Sequence, residues 1–186
     1  MENKRYAGGD ELLNPDFLLR EVLEIPFGAR VADLGCGSMG YFVLQAAKLA
    51  GDKGRVYACD ILKDVLSAVS GKARQEGLIN VKTVWTNLEI VGATKIEEPL
   101  DYALLINTLF QATKHAEMLA EAYRLLKSEG KLLVVEWHAS SGPLGPSANL
   151  RLAKETVDEM AQSAGFAKIR EFEAGQNHYG LIFQKP

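Results

Sequence analysis

Residues 30–40 contain the feature that most constrains this chain, a glycine-rich turn between an apolar segment and an amphipathic one. Residues 30–34 predict a β-strand, three glycines follow at intervals of two and three residues, and residues 41–50 predict an α-helix. Glycine lets the backbone approach a ligand closely, and the first turn of a helix offers free N–H groups. We therefore predict that this turn holds a nucleotide-like ligand.

The rest of the chain alternates between strand-like and helix-like segments. A helix at 15–24 is predicted to begin at an Asn14 cap, and a hairpin at 166–184 is predicted to close the chain. Between them we predict strands at 55–60, 81–86, 100–106 and 131–136, helices at 63–76, 113–127 and 153–164, and loops at 87–99 and 137–149. This order predicts an α/β fold with a largely parallel sheet, in which ligands bind beyond the carboxyl ends of the strands.

Composition limits the class of protein. With 186 residues, 47% hydrophobic and 24% charged, we expect one soluble globular domain over 1–186, with residues 1–27 as an N-terminal lid and helix region. The net charge of −3 gives no electrostatic reason to expect nucleic acid or an anionic membrane as a partner. Neither a signal peptide nor a membrane-spanning run is expected, and two cysteines do not form a disulfide framework. These features predict a cytoplasmic protein with reduced thiols.

The glycine spacing and its neighbouring acids point to two kinds of ligand. Gly35, Gly37 and Gly40 satisfy the dinucleotide pattern G-x-G-x-x-G, and Asp60 ends the next strand, where an acid meets ribose hydroxyls. Asp33 precedes the first glycine, however, and a carboxylate there suits a ligand that carries positive charge better than one that carries a pyrophosphate. S-adenosylmethionine has an ammonium group, a sulfonium group and no phosphate.

Residues 33–37, Asp-Leu-Gly-Cys-Gly, resemble the glycine-rich motif of class I S-adenosylmethionine-dependent methyltransferases. Residues 56–60, 100–106 and 121–131 resemble that family's second motif, its fourth strand and the approach to its fifth strand. The likeness is greatest to the ubiquinone-biosynthesis-like small-molecule methyltransferases. The resemblance covers almost the whole chain and implies a Rossmann-like three-layer sandwich with a seven-stranded, mostly parallel sheet and an antiparallel last strand.

The resemblance also implies a set of cofactor-binding residues. Asp33 and the glycines would hold the methionine part of S-adenosylmethionine, Asp60 the ribose, and Asn87 the adenine. The expected set is completed by Cys36 and Ile61, which adjoin these positions, and by Asn107, at the carboxyl end of the strand predicted at 100–106. The chain departs from the family pattern at Ser38-Met39, which adds one residue to the glycine turn, and at Thr86-Asn87, where the family commonly has an acid.

Strand direction predicts where the chemistry lies. The carboxyl ends of a parallel sheet gather Glu136 with the cofactor residues, and an antiparallel last strand would begin at the same edge with His178. The loop after strand 131–136 adds His138. These three residues are candidates for an acid or base in methyl transfer. No metal site is expected, because Glu136 and His138 lack further ligands.

Several alternatives stay open at this stage. The methyl acceptor is expected to be a small molecule and the protein a monomer or homodimer, but an RNA or protein methyltransferase and a non-catalytic cofactor-binding protein remain candidates. Tyr123-x-x-x-Lys127 matches the pair of short-chain dehydrogenases, but it lies within the methyltransferase-like helix. Trp85 is expected in the core, with adenine stacking as the alternative. Ile61 and Leu62 suit either the core or an apolar wall for adenine.

Overall fold

The computed structural model describes residues 13–139 and 144–186. The predicted lid at residues 1–13 therefore lies outside the described part of the chain, except for the buried Leu13. The strands are β1 (Arg30–Leu34), β2 (Arg55–Asp60), β3 (Val81–Trp85), β4 (Leu100–Ile106), β5 (Leu126–Trp137), β6 (Ala167–Gly175) and β7 (His178–Gln184). The α-helices are α1 (Tyr41–Ala50), α2 (Lys63–Gln75), α3 (His115–Leu125) and α4 (Lys154–Ser163).

All seven strands form one sheet in the order β3-β2-β1-β4-β5-β7-β6. Neighbours among β1 to β5 pair in parallel, and β7 pairs antiparallel with both β5 and β6. Only the last strand therefore runs against the others, which confirms the predicted fold class. The strand order reverses at β1, so the turn after β1 lies at the position where open α/β sheets bind ligands.

Hydrophobic clusters cover both faces of the sheet. Successive side chains of a strand point to opposite faces, and the runs in β1, β4 and β5 are apolar on both. One cluster joins Val31, Leu133 and Val135 to α1, and the other joins Ala32, Leu132 and Val134 to α3. Within the described residues, no helix is long and apolar enough to cross a membrane.

The N-terminal helix and the fifth strand differ from the predictions at their ends. The Asn14 cap is confirmed, since its Oδ1 accepts a hydrogen bond from the Phe17 amide at 3.0 Å, but the segment Phe17–Val22 is a π-helix. The Leu23 amide bonds to the Leu18 carbonyl five residues earlier. Strand β5 begins at Leu126, five residues before the predicted start, because Leu126 already pairs with Leu100.

The prediction that Trp85 lies in the core is wrong. Its side chain is 61% exposed, because β3 is an edge strand and lacks a neighbour beyond it. The indole nitrogen donates a hydrogen bond to the Ile61 carbonyl at 2.8 Å, and the Lys63 ammonium lies 5.0 Å from the ring centre. Trp85 is thus held against the turn after β2 at the surface of the protein.

Candidate functional site

A cavity of about 350 Å³ opens at the carboxyl ends of the strands, within the size range of small-molecule sites. Its walls come from the turns after β1, β2, β3 and β4 and from the start of α3. The residues that line the cavity include Gly35, Gly37, Asp60, Ile61, Leu62, Asn87, Glu89 and Thr108. Five of the nine predicted cofactor residues are among the lining residues, and Asp33, Cys36, Gly40 and Asn107 are not.

The glycine turn needs glycine for two separate reasons. At Gly35, φ is +96°, and a Cβ atom would lie 2.5 Å from Cγ2 of Thr108, which follows β4. At Gly37, φ is +60° and no atom lies within 4 Å of the position a Cβ would take. Gly35 is therefore required by close packing between two turns as well as by its backbone, whereas Gly37 faces open space.

Asp60 ends β2 with its carboxylate at the cavity wall. Its Oδ1 accepts a hydrogen bond from the Leu62 amide at 3.0 Å, and its Oδ2 lies 3.4 Å from the Gly37 amide nitrogen. This carboxylate therefore links the glycine turn to the turn after β2. Ile61 and Leu62 are 53% and 60% exposed and line the cavity, so they belong to an apolar wall rather than to the core.

The loop after β3 forms the opposite wall. Asn87 lines the cavity, and its Oδ1 accepts a hydrogen bond from the Glu89 amide at 2.9 Å, which fixes the start of the loop. The Glu89 carboxylate accepts hydrogen bonds from the amide and the hydroxyl of Thr113, at 3.0 Å and 2.8 Å. Both hydrogen bonds lower the pKa of Glu89.

Asp33 is buried beneath the glycine turn, with 3% of its surface exposed. Burial raises the pKa of Asp33 to about 7, and the nearby Asp60 charge adds to the increase. Cys36 is also buried, and burial raises the pKa of its thiol. Asp33 therefore does not line the cavity, and it can affect a ligand there only through its charge.

Two unpartnered oxygens lie where β4 and β5 end. Asn107 has φ of +54°, and its buried Oδ1 has no hydrogen-bond partner among the described residues. Glu136 is fully buried; its Oε1 accepts a hydrogen bond from the Leu109 amide at 2.7 Å, and its Oε2 has no partner within residues 13–139 and 144–186. Burial raises the pKa of Glu136 to about 7, although the amides of residues 108–110 act in the opposite direction.

The two histidines reach the same edge of the sheet but opposite faces. The ring of His178 lies 4.1 Å from the Trp137 ring, while the ring of His138 lies 5.7 Å from the Tyr179 ring. Consecutive residues such as His178 and Tyr179 point to opposite faces of a strand. His178 and His138 are therefore not brought together as an acid and base pair.

The surroundings of the two histidines also differ. His178 is fully buried, and neither ring nitrogen has a hydrogen-bond partner among the described residues. Burial lowers the pKa of His178 to about 4, with a smaller contribution from His138. His138 is more accessible, and its Nε2 lies 2.6 Å from the Glu173 carboxylate. Within the described residues, His178 is therefore a ring that stays neutral near pH 7 and whose two nitrogens are both unpaired.

Sequence reasoning missed an ion pair between a buried carboxylate and an exposed arginine that holds the loop after β3. Glu121 of α3 is fully buried, and it accepts hydrogen bonds from the Gly92 and Thr94 amides at 2.7 Å and 2.8 Å. Arg124 bonds to both Glu121 oxygens and to the Thr94 carbonyl. These hydrogen bonds lower the pKa of Glu121 to about 2 against the effect of burial. The only sequence signal was a charged pair three residues apart on a helix, which is usually solvent-exposed.

Across residues 13–139 and 144–186, no three His, Cys, Asp or Glu side chains are grouped closely enough to hold a metal ion. What the site offers is a glycine turn, the Asp60 carboxylate and an apolar wall, at the switch point of a doubly wound sheet. With its antiparallel last strand, this arrangement defines the class of Rossmann-like S-adenosylmethionine-dependent methyltransferases.

Residues 27–184 match the model of a family described as "Methyltransferase domain", and the chain belongs to that family. A ubiquinone/menaquinone biosynthesis C-methyltransferase from Vibrio vulnificus is 33% identical over 114 residues, which are 59% of this chain and 42% of that protein. The corresponding enzyme from a Marinomonas species is 30% identical over 102 residues, which are 54% of this chain and 40% of that protein. The chain thus spans less than half of the curated relatives it matches.

Solved structures show the same fold at lower sequence identity. A SAM-dependent methyltransferase from Aquifex aeolicus superposes with a TM-score of 0.85 at 24% identity, over 95% of this chain and 92% of that one. The [4+2]-cyclase SpnF superposes with a TM-score of 0.75 at 17% identity, over 92% of this chain and 80% of that one. Because a cyclase shares the fold, the fold alone does not assign the reaction.

Proposed function

We propose that this chain is an S-adenosylmethionine-dependent methyltransferase that acts on a small molecule. Membership of the methyltransferase domain family supports the activity, and the observation that carries the proposal is the cavity that the Asp60 carboxylate shares with the exposed Ile61 and Leu62. The names of the relatives from Vibrio vulnificus and Marinomonas, both C-methyltransferases of quinone biosynthesis, support a small molecule as the acceptor and carbon as the methylated atom.

The residues of the cavity fit S-adenosylmethionine. Asp60 would bind the ribose hydroxyls, Ile61 and Leu62 would cover one face of the adenine, and Asn87 would lie at its edge. Gly35, Cys36, Gly37 and Gly40 would follow the methionine part, and the buried Asp33 carboxyl would complement its positive charge. When bound, the cofactor supplies a methyl group on a positively charged sulfur.

The acceptor would lie beyond Asn107, at the edge where β4 and β5 end and β7 begins, where buried polar atoms have no partner among the described residues. His178 would accept a hydrogen bond from the acceptor, because its low pKa keeps the ring neutral near pH 7. From the face opposite to His178, Glu136 would hold the turn at Leu109 through Oε1 and offer Oε2 as a second acceptor. His138, on the same face as Glu136 and paired with Glu173, would be a second candidate on that side.

Calorimetry with S-adenosylhomocysteine and with NADH tests the proposal. The first ligand should bind and the second should not, and Asp60→Asn should weaken S-adenosylhomocysteine by about 10- to 100-fold because a hydrogen bond to a charged group is lost. Asp64→Asn is the matched control, since Asp64 is an exposed carboxylate in the first turn of α2 and is not among the lining residues. Full affinity in Asp60→Asn, or tight binding of NADH, would contradict the proposal.

A further inference from the structure

The glycine turn has one residue more than the family pattern, at Ser38-Met39, and this segment lies in a four-residue β-turn. The Gly40 amide donates a hydrogen bond to the Gly37 carbonyl at 3.2 Å, and φ is +60° at Gly37 and +62° at Gly40. Ser38 and Met39 form the middle of this turn. The carbonyl groups of these two middle residues accept hydrogen bonds from donors outside the turn.

Lys72 of α2 supplies those donors. Its Nζ donates hydrogen bonds to the Ser38 carbonyl at 3.1 Å, to the Met39 carbonyl at 3.3 Å and to the Met39 sulfur at 3.3 Å. Among the residues that the structure describes, Lys72 forms no ion pair, so the acceptors found for its charge all belong to the turn. Hydrogen bonds from a charged donor are about twice as strong as neutral ones.

A second residue of α2 contacts the end of the same turn. Val69 is fully buried, and a Cβ atom on Gly40 would lie 3.1 Å from Cγ2 of Val69. Val69 and Lys72 are three residues apart and therefore lie on the same face of the helix. Asp60 lies near the other end of the turn, at Gly37. Both ends and the middle of the turn are thus held by β2 and α2.

We propose that Lys72 is a positioning residue for the cofactor. It holds the carbonyl groups of the added residue against α2 and so keeps the Gly35–Gly37 backbone in the shape that receives the methionine part of S-adenosylmethionine. This inference rests on the proposed function. It requires that loss of the Lys72 charge lowers the affinity for ligands that have an amino-acid part and leaves the affinity for ligands without one unchanged.

The test compares two ligands in Lys72→Met, which keeps the aliphatic stem and removes the charge. By calorimetry, S-adenosylhomocysteine should bind about 10-fold more weakly, because the turn is then no longer held in the shape that receives the ligand. Methylthioadenosine lacks the amino-acid part, and its affinity should change less than about twofold. Lys72→Arg keeps the charge and should retain S-adenosylhomocysteine within about threefold of wild type.

Lys48→Met is the matched control. Lys48 and Lys72 line one surface groove, but the Lys48 ammonium pairs with the Glu76 carboxylate at 2.7 Å. This variant should bind both ligands like wild type. Equal loss of both ligands in Lys72→Met, or no loss of S-adenosylhomocysteine, would overturn this inference and leave the proposed function intact. Failure of the wild-type protein to bind S-adenosylhomocysteine would overturn both.

Discussion

Replacing Asp33 with Asn should make the ligand-free protein more stable, although Asp33 belongs to the proposed cofactor site. Its carboxyl group is buried under the glycine turn, where burial and the Asp60 charge raise its pKa from 3.8 to about 7. Above pH 7 the folded protein therefore carries a charge that the unfolded chain solvates far better. Asn has almost the same shape and no charge, so Asp33→Asn removes this cost.

The magnitude follows from the linkage between proton binding and folding. A tenfold change in an acid constant corresponds to about 1.4 kcal/mol. The increase in the pKa of Asp33 then lowers the free energy of unfolding of wild type by about 4 kcal/mol at pH 8, by about 1.5 kcal/mol at pH 5, and by almost nothing below pH 4. A raised carboxyl pKa costs stability as pH rises, so the advantage of Asp33→Asn should grow from pH 4 to pH 7.

The assay is urea unfolding of the ligand-free proteins at several pH values from 4 to 8. Asp101→Asn is the control of opposite sign: burial raises the pKa of Asp101, but hydrogen bonds from Lys127 and the Arg30 amide outweigh burial and leave that pKa below its usual value. This variant should therefore lose stability at pH 8. If Asp33→Asn gained no more at pH 8 than at pH 4, the reasoning about a buried charge would be refuted.

Two further predictions concern the glycine turn and the acceptor side. Gly35→Ala should lower the free energy of unfolding by about 2–4 kcal/mol, because its Cβ would clash with Thr108 and φ is +96°, whereas Gly71→Ala in the open middle of α2 should raise it by about 0.5–1 kcal/mol. Equal urea midpoints would contradict this. His178→Leu should be more stable than wild type by a margin that grows to about 3 kcal/mol as pH falls from 6.5 to 4, because only the unfolded wild type binds the proton in that range. His138→Gln, which removes a hydrogen bond to Glu173, should lack this gain, and a margin independent of pH would disprove the assignment.

The fold class and the position of Asp60 at the cavity could be predicted from the sequence because their signals are local. Apolar runs with period two or 3.6 identify strands and helices, and the glycines after β1 mark a turn that few other residues can form. Asp60 follows from its place at the end of the second strand. The same locality explains the errors at element ends: Leu126 belongs to β5 only because it pairs with Leu100 of a distant strand.

The candidate site depended more heavily on the tertiary structure. Strand order places β3 at the edge of the sheet and exposes Trp85, which a periodic pattern would bury. The alternation of side chains across β5 and β7 separates His138 from His178, although both reach the same edge. Neither strand order nor the relation between two faces is encoded in the spacing of residues along the chain.

For the glycine turn, the sequence by itself determined a glycine-rich turn with one residue more than the family pattern. Only the tertiary structure decided how that residue is accommodated, because Lys72 reaches the turn from 33 residues further along the chain. Likewise, Glu121 holds the loop after β3 by bonds that span 27 to 29 residues. The backbone conformation of a turn is set largely by residues that are close in sequence. Hydrogen bonds between distant residues form only where packing brings a donor and an acceptor together.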